Sequence, residues 1–217
     1  MNIEEIEVKI TRKKIKNINL RAYPDGSIKL SAPFTLPEHK IYSFLKSKSS
    51  WIKKQQSRFP KKLKYLPGEN HYFLGKKYKL NIVLTENSTG ARINGENLDL
   101  YVKPKSDKEK ILFEFYKLEL EKRVPLLIKK WEKIIGKEVK DFKIRRMKTR
   151  WGSCNFKKRK ISINSELAKR PVYFLEYVVV HEMVHLIEKS HNKNFKNLMT
   201  LFLPEWKKYK EDLKTAI

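Results

Sequence analysis

The nine residues Tyr177-Val178-Val179-Val180-His181-Glu182-Met183-Val184-His185 constrain this chain more than any other stretch, because they are almost wholly apolar yet carry two histidines and a glutamate. A helix that is apolar on nearly all sides has to be buried in a core. Burying two imidazoles and a carboxylate there without partners is costly, since polar groups need hydrogen bonds and a charge needs more. A metal ion answers that cost. Four residues make about 400° of helical rotation, so His181 and His185 face the same way one turn apart and can bind one metal through ring nitrogens. Glu182, about 100° round from His181, can hydrogen-bond water on such a metal without ligating it, the arrangement that the HExxH spacing serves.

His191 follows six residues after His185, which puts three of the chain's five histidines within eleven positions. Were the helix to continue, residue 191 would point about 80° away from His181 and lie too far along the axis. The chain must therefore turn for His191 to ligate, and Lys189-Ser190 offers the turn. Two blander readings compete. A buried helix with satisfied histidines meets the burial cost already described. A structural zinc site is usually closed by four ligands and rich in cysteine, whereas three histidines leave a fourth position for water with Glu182 beside it, which favours catalysis. His39 and His71 stand alone in polar surroundings and are expected at the surface.

The single cysteine, Cys154, excludes an internal disulfide and a four-cysteine metal site and fits a reducing compartment. The 217 residues are enough to bury a core without such staples. The N-terminus begins Met1-Asn2-Ile3-Glu4-Glu5, with acids where a secretory signal would carry basic residues, and no apolar run approaches the roughly 20 residues needed to cross a bilayer. A soluble cytoplasmic protein with no membrane partner is expected. Fifty basic residues against 24 acidic ones give a net charge of +26, enough to attract polyanions by counterion release and to make nucleic acid a candidate partner. The abundance of lysine over arginine, with plentiful Ile and Asn, equally matches the bias of AT-rich coding.

No internal repeat is visible along the chain. Apolar residues from Ile3 to Ile10 approximate a strand, and Ile15–Leu20, a turn at Tyr23-Pro24-Asp25-Gly26, and Ser27–Ala32 predict a hairpin. Pro37 opens a helix through about residue 58 that presents Ile41, Phe44, Leu45, Trp51 and Ile52 near one face. Strands are expected at Tyr72–Leu74, Tyr78–Leu84 and Ala91–Val102, the last broken by the hairpin signal Asn94-Gly95. Ser106, with Glu109 three residues on, reads as a capping box opening a helix toward Gly136 that Pro125 must kink or split. Strands at Val139–Lys148 and Lys160–Asn164, a helix from Pro171 and helical segments around Pro204 complete an α+β order. The domain boundary is expected near Pro104 to Ser106, giving a β-rich unit with one helix over 1–104 and a second domain over 105–217.

The segment Arg146-Met147-Lys148-Thr149-Arg150-Trp151-Gly152-Ser153-Cys154-Asn155, then Ile161-Ser162-Ile163-Asn164, Leu167, Pro171, Glu176 through Leu186, His191 and Phe195, resembles the YgjP-like metallopeptidase-domain family. Asn17-Ile18-Asn19-Leu20-Arg21, Pro24-Asp25-Gly26, Ala32-Pro33, Trp51-Ile52 and Leu74-Gly75 extend the likeness over nearly the whole chain. The resemblance implies a zincin-like C-terminal domain, with the HExxH helix packed on a small sheet and a β-rich unit before it. It also implies Zn2+ held by His181, His185 and His191, with Glu182 as catalytic acid and base. The histidine spacing equals that of the metzincin signature, but Glu188 stands where that signature has the glycine of a sharp turn, so the turn has to be made differently. Glu188 and Glu205 are the alternative third ligands.

Hydrolysis of a peptide or amide bond in a protein or peptide substrate uses all these parts. Arg150 is a candidate for stabilising the developing oxyanion, or else it pairs and packs beside Trp151. Cys154 adjoins the site in sequence only, and a thiol nucleophile would need a histidine base not committed to metal. The competing functions are a basic nucleic-acid-binding protein with an inactive or structural zinc site, and a zinc amidase acting on a non-peptide substrate.

Overall fold

In the segment Ile28–Pro33 every second residue turns to one face, where Ile28, Leu30 and Ala32 are each at most 1% exposed. This strand, β4, lies inside a sheet made with β1 (Asn2–Ile3), β2 (Ile6–Lys13) and β3 (Asn19–Ala22), in the order β1-β2-β4-β3. The computed structural model describes residues 2–3, 6–23, 27–58 and 63–215. β3 pairs antiparallel with β4, the expected hairpin, although the strand is confined to Asn19–Ala22; the expected turn residues Pro24, Asp25 and Gly26 lie outside the described residues. β2 pairs parallel with β4. The single helix expected up to residue 58 is broken at Lys48 into α1 (Glu38–Ser47) and α2 (Ser49–Arg58), where the Lys48 N–H donates to both Phe44 and Leu45 carbonyls in a tightened last turn. Ile41, Leu45 and Ile52 then close a core with Val8, Ile28, Leu30 and Ala32.

The chain divides into two compact units, Met1–Lys64 and Tyr65–Ala216. The second opens with another four-stranded sheet of β5 (Asn70–Phe73), β6 (Lys76–Leu84), β7 (Gly90–Asn94) and β8 (Asn97–Val102), ordered β5-β6-β8-β7. The strand order of the first sheet is thus repeated, with an antiparallel pair at each edge and a parallel pair in the middle. No such repetition is visible in the sequence, because pairing order is a property of topology and not of residue identity.

A 28-residue helix, α3 (Lys108–Ile135), comes next. Its N-cap is Asp107, whose carboxylate accepts from the Lys110 N–H, and not Ser106, whose hydroxyl accepts instead from the Lys103 N–H in the turn leaving β8. Pro125 does not split the helix; it sits on the exposed side, where the carbonyl it leaves unbonded can turn to water. The change of periodicity at residues 104–106 does not coincide with the division between units. Phe73, Leu80, Leu98 and Leu100 from the second sheet share one core with Leu112, Phe115 and Leu120 of α3, so this sheet belongs to the same unit as the long helix.

The third sheet, of β9 (Asp141–Arg145), β10 (Gly152–Asn155) and β11 (Lys160–Asn164), has the order β10-β11-β9 and leaves β10 at one edge. A 3-10 turn at Ser165–Lys169 leads to α4 (Val172–Val184), α5 (Lys193–Phe202) and α6 (Trp206–Thr215). The architecture is α+β, with a β-rich N-terminal unit and C-terminal helices that carry a histidine cluster beside a small sheet. Among the described residues no helix is long and apolar enough to cross a membrane.

Candidate metal centre

α4 is buried on almost every side: Leu175, Val178, Val179, Val180, Met183 and Val184 are all at most 3% exposed. It packs against α3, α5, α6, β10 and β11. Trp131 and Lys130 of α3 both donate to the Glu176 carboxylate, at 2.9 and 2.6 Å. At the N-terminal end, a Cβ on Gly75 would come within 2.7 Å of the Pro171 ring, and Gly75 has φ +82°. The β5–β6 turn therefore presses directly on the start of the helix, and only glycine fits there.

The other end of α4 presents the histidines. His185 caps the helix, and the N–H groups of Ile187 and Glu188 both donate back to the Val184 carbonyl as the chain turns. Glu188 makes this turn without a positive φ, and its carboxylate accepts from the backbone and hydroxyl of Ser190, both at 3.2 Å. Asn192 then caps α5 by accepting from the Phe195 N–H. The turn brings His191 back to α4. The donor atoms of His181, His185 and His191 all lie within 4.8 Å of one another, and neither Glu188 nor Glu205 belongs to this cluster among the described residues. Phe195, only 1% exposed, underlies all three rings at centroid distances of 4.7–4.9 Å.

The donor set suits a divalent metal. Nε2 of His191 and Nε2 of His181 are 2.9 Å apart; two metal–imidazole bonds of about 2.0–2.1 Å at a tetrahedral angle would hold their nitrogens about 3.3 Å apart. His185 donates from Nδ1 to the Glu188 carbonyl at 3.0 Å, which leaves its Nε2 with a free lone pair. Nδ1 of His181 is buried without a hydrogen-bond partner among the described residues. Burial, reinforced by the charges of His185, His191 and Lys210, pushes the His181 pKa down to about 3, and burial also lowers that of His191. Both rings are thus kept neutral, the form that ligates.

Glu182 lies against β10 and is 5% exposed. A Cβ on Gly152 would lie 2.6 Å from Glu182 Oε1, so the strand backbone and the carboxylate meet at a distance that no side chain at 152 allows. Burial raises the Glu182 pKa to about 8, and the nearby charge of Arg150 opposes that rise. Arg150 itself is exposed, in the segment just before β10. That segment is tied down by Asn164, a buried residue whose amide donates to the Met147 and Arg150 carbonyls at 2.9 and 2.8 Å.

Cys154 is a neighbour of the site in space as well as in sequence. It is half-buried on β10, on the same side of the strand as Gly152, and burial together with the Glu182 charge pushes its thiol up to about 11. A protonated thiol is a poor nucleophile, which argues against a thiol mechanism. His39 is exposed as expected, but His71 is not a surface residue: it is 1% exposed, 3.4 Å from Glu69 Oε2. Strand alternation carries the signal, since His71 shares its face with the buried Phe73. Gly152, Asn164 and Phe195 are the site residues to which sequence reasoning assigns no role, because each acts through a contact distant in sequence.

A family model described as "YgjP-like, metallopeptidase domain" matches residues 16–216. Among solved structures, the crystal structure of the metallopeptidase zymogen of Pyrococcus abyssi abylysin is 21% identical with a TM-score of 0.39, over 43% of this chain and 94% of that one. A likeness this distant adds nothing to the assignment. No curated protein matches the chain.

Proposed function

The chain belongs to the YgjP-like metallopeptidase-domain family and is by that membership a metal-dependent hydrolase; from this premise we propose that it is a zinc peptidase in which His181, His185 and His191 hold the metal and Glu182 is the general base. The observation that carries this reading is the convergence of three imidazole donors within 4.8 Å, two of them on a helix that also bears a buried carboxylate. Zinc, when bound there, supplies a water of pKa near about 7 and a Lewis acid for a substrate carbonyl. Glu182, whose carboxylate is buried beside β10, would take a proton from the attacking water and deliver it to the leaving amine. Arg150 is assigned to the negative charge that develops on the carbonyl oxygen. The edge strand β10, beside Glu182, offers unpaired backbone groups to an extended substrate by strand addition. All these residues lie within the second compact unit, Tyr65–Ala216, and a free cysteine suits the cytoplasm.

Metal analysis of protein purified without added metal should give about one zinc per chain, lost in His181→Ala and His191→Ala. Glu182→Gln should keep the zinc and lose about 10³-fold in turnover on a peptide library, within the range a general base supplies. Full activity in that variant would sink the assignment.

A further inference from the structure

The first and second sheets share one strand order and one pattern of pairing, so positions in one have counterparts in the other. In the first, Val8 is level with Ile28, Lys9 with Lys29, and Lys29 in turn with Arg21. In the second, Leu80 is level with Leu98, Asn81 with Asp99, and Asp99 in turn with Arg92. The row Asn81-Asp99-Arg92 satisfies itself: the Asp99 carboxylate accepts from the Asn81 and Asn94 amides at 2.9 and 3.0 Å and lies 3.8 Å from Arg92. Its counterpart in the first sheet is Lys9-Lys29-Arg21, three cations on three adjacent strands with no carboxylate between them.

All three are exposed, on the face of the sheet opposite Val8, Ile28 and Leu30 of the core. Neighbouring strands lie about 4.8 Å apart, so the row spans about 10 Å, and like charges set directly opposite one another disfavour the sheet. Lys29 Nζ sits 4.6 Å from the centroid of Tyr23, which places that ring on the same face. Lys13, also exposed, continues the charge along β2, beyond a polar row of Thr11, Ser31 and Asn19. Among the described residues the acids of this unit are Glu7, on the same face two positions before Lys9, and Glu38 on α1. Glu4, Glu5 and the turn residue Asp25 lie outside the described residues. Glu7 and Asp25 together can answer at most two of the four cations on the face. Residues 1–64 hold sixteen basic against five acidic residues, so eleven cations remain even if every acid of the unit takes one.

We propose that this open face of the first sheet binds single-stranded nucleic acid, with backbone phosphates beside Lys9, Lys29 and Arg21 where the second sheet has the Asp99 carboxylate. A row of this length calls for several anions in line, which a phosphate polymer supplies and a lone anion does not. Tyr23 adds a ring on which a base can stack. The binding is independent of the peptidase reading of the histidine centre.

The test uses the full chain and a dye-labelled oligothymidylate about 15 nucleotides long, followed by fluorescence anisotropy between about 50 and 300 mM salt. Three phosphate contacts to a single strand contribute about −2 to the slope of log K against log salt. Lys9→Gln combined with Arg21→Gln and Lys29→Gln should remove that contribution and weaken binding about 100-fold at about 50 mM salt. The matched control, Lys129→Gln with Lys133→Gln and Lys137→Gln, removes the same charge from three exposed positions of the second unit and should change little. Lys29→Asp gives the row the carboxylate that its counterpart has. It should also lose binding, yet raise Tm by about a few degrees as the like charges gain a partner, which separates a lost site from a damaged fold. Equal losses in the two triple variants would overturn the proposal, since binding would then follow net charge and not this face. Wild-type affinity in Lys29→Asp would overturn it as well. So would a polyglutamate peptide, or vesicles containing phosphatidylserine, that binds more tightly than the oligonucleotide and loses its affinity in the Lys9, Arg21 and Lys29 triple variant; the face would then serve an acidic protein or a membrane.

Discussion

The first and second sheets have the same strand order, β1-β2-β4-β3 and β5-β6-β8-β7, yet only one of them belongs to the unit with chemistry. The first is covered by two ten-residue helices and closes a small core on Ile41, Leu45 and Ile52. The second is joined to a 28-residue helix, and its core runs on through Leu120 and Val124 to Val179 and Val180 of the histidine-bearing helix. Strand topology therefore does not make the site. What makes it is a core large enough to bury a helix that is apolar all round, since α4 could not be hidden behind a single four-stranded sheet with two short helices.

The sharpest test of this division pairs two leucines that are each 0% exposed, Leu45 in the first core and Leu120 in the second. Leu45→Ala and Leu120→Ala should each cost about 2–5 kcal/mol. In calorimetry of the zinc-loaded chain, Leu45→Ala should lower one transition and leave zinc content unchanged, and Leu120→Ala should lower the other. A single transition that shifts equally in both variants, or loss of zinc from Leu45→Ala, would break the comparison.

The next effect concerns Gly152, whose place is taken by a steric argument confined to the second unit. Gly152→Ala puts a carbon 2.6 Å from Glu182 Oε1 and must displace the carboxylate or the strand. Turnover should fall about 100-fold, equivalent to about 2.7 kcal/mol, with zinc retained because no ligand is touched. Gly90→Ala, where an added Cβ meets nothing within 4 Å, is the matched control and should be near neutral. Wild-type turnover in Gly152→Ala would show that Glu182 does not need its present position.

These cases also mark what a single sequence can show. His181, Glu182 and His185 are legible because helical periodicity is local: spacing alone places them on one turn. His191 needs only the argument that the chain must turn back. The contact of Gly152 with Glu182, thirty positions away, the anchoring of Arg150 by Asn164, and the floor that Phe195 makes under three rings depend on tertiary packing that no local pattern encodes. The division at residue 64 escapes a reading of the sequence for a related reason. Periodicity changes at residue 104, from strand to helix, but a unit ends where cores separate, and the second sheet shares its core with α3.

The smallest expected effect is a pH dependence of the second unit's stability in the metal-free chain. Glu182 has a folded pKa of about 8 against 4.5 for the ordinary carboxyl, so the stability tied to its proton is complete below 4.5 and is lost as pH rises toward 8. His181 has a folded pKa of about 3 against 6.5, so its contribution is present above 6.5 and lost as pH falls toward 3. The two oppose each other between 4.5 and 6.5, and only Glu182 acts between 6.5 and 8. Over that last interval the metal-free chain should lose about 2 kcal/mol, one proton's worth of linkage over about 1.5 pH units. Glu182→Gln should remove the loss, because its amide has no proton to give up. Zinc loading should remove it too, because a dication beside Glu182 favours the carboxylate at every pH in the window. Denaturant titrations at about pH 6.5 and 8.0 on the metal-free, zinc-loaded and Glu182→Gln chains measure this directly. The same fall in all three would mean that the buried carboxylate and the histidine cluster do not share one electrostatic environment.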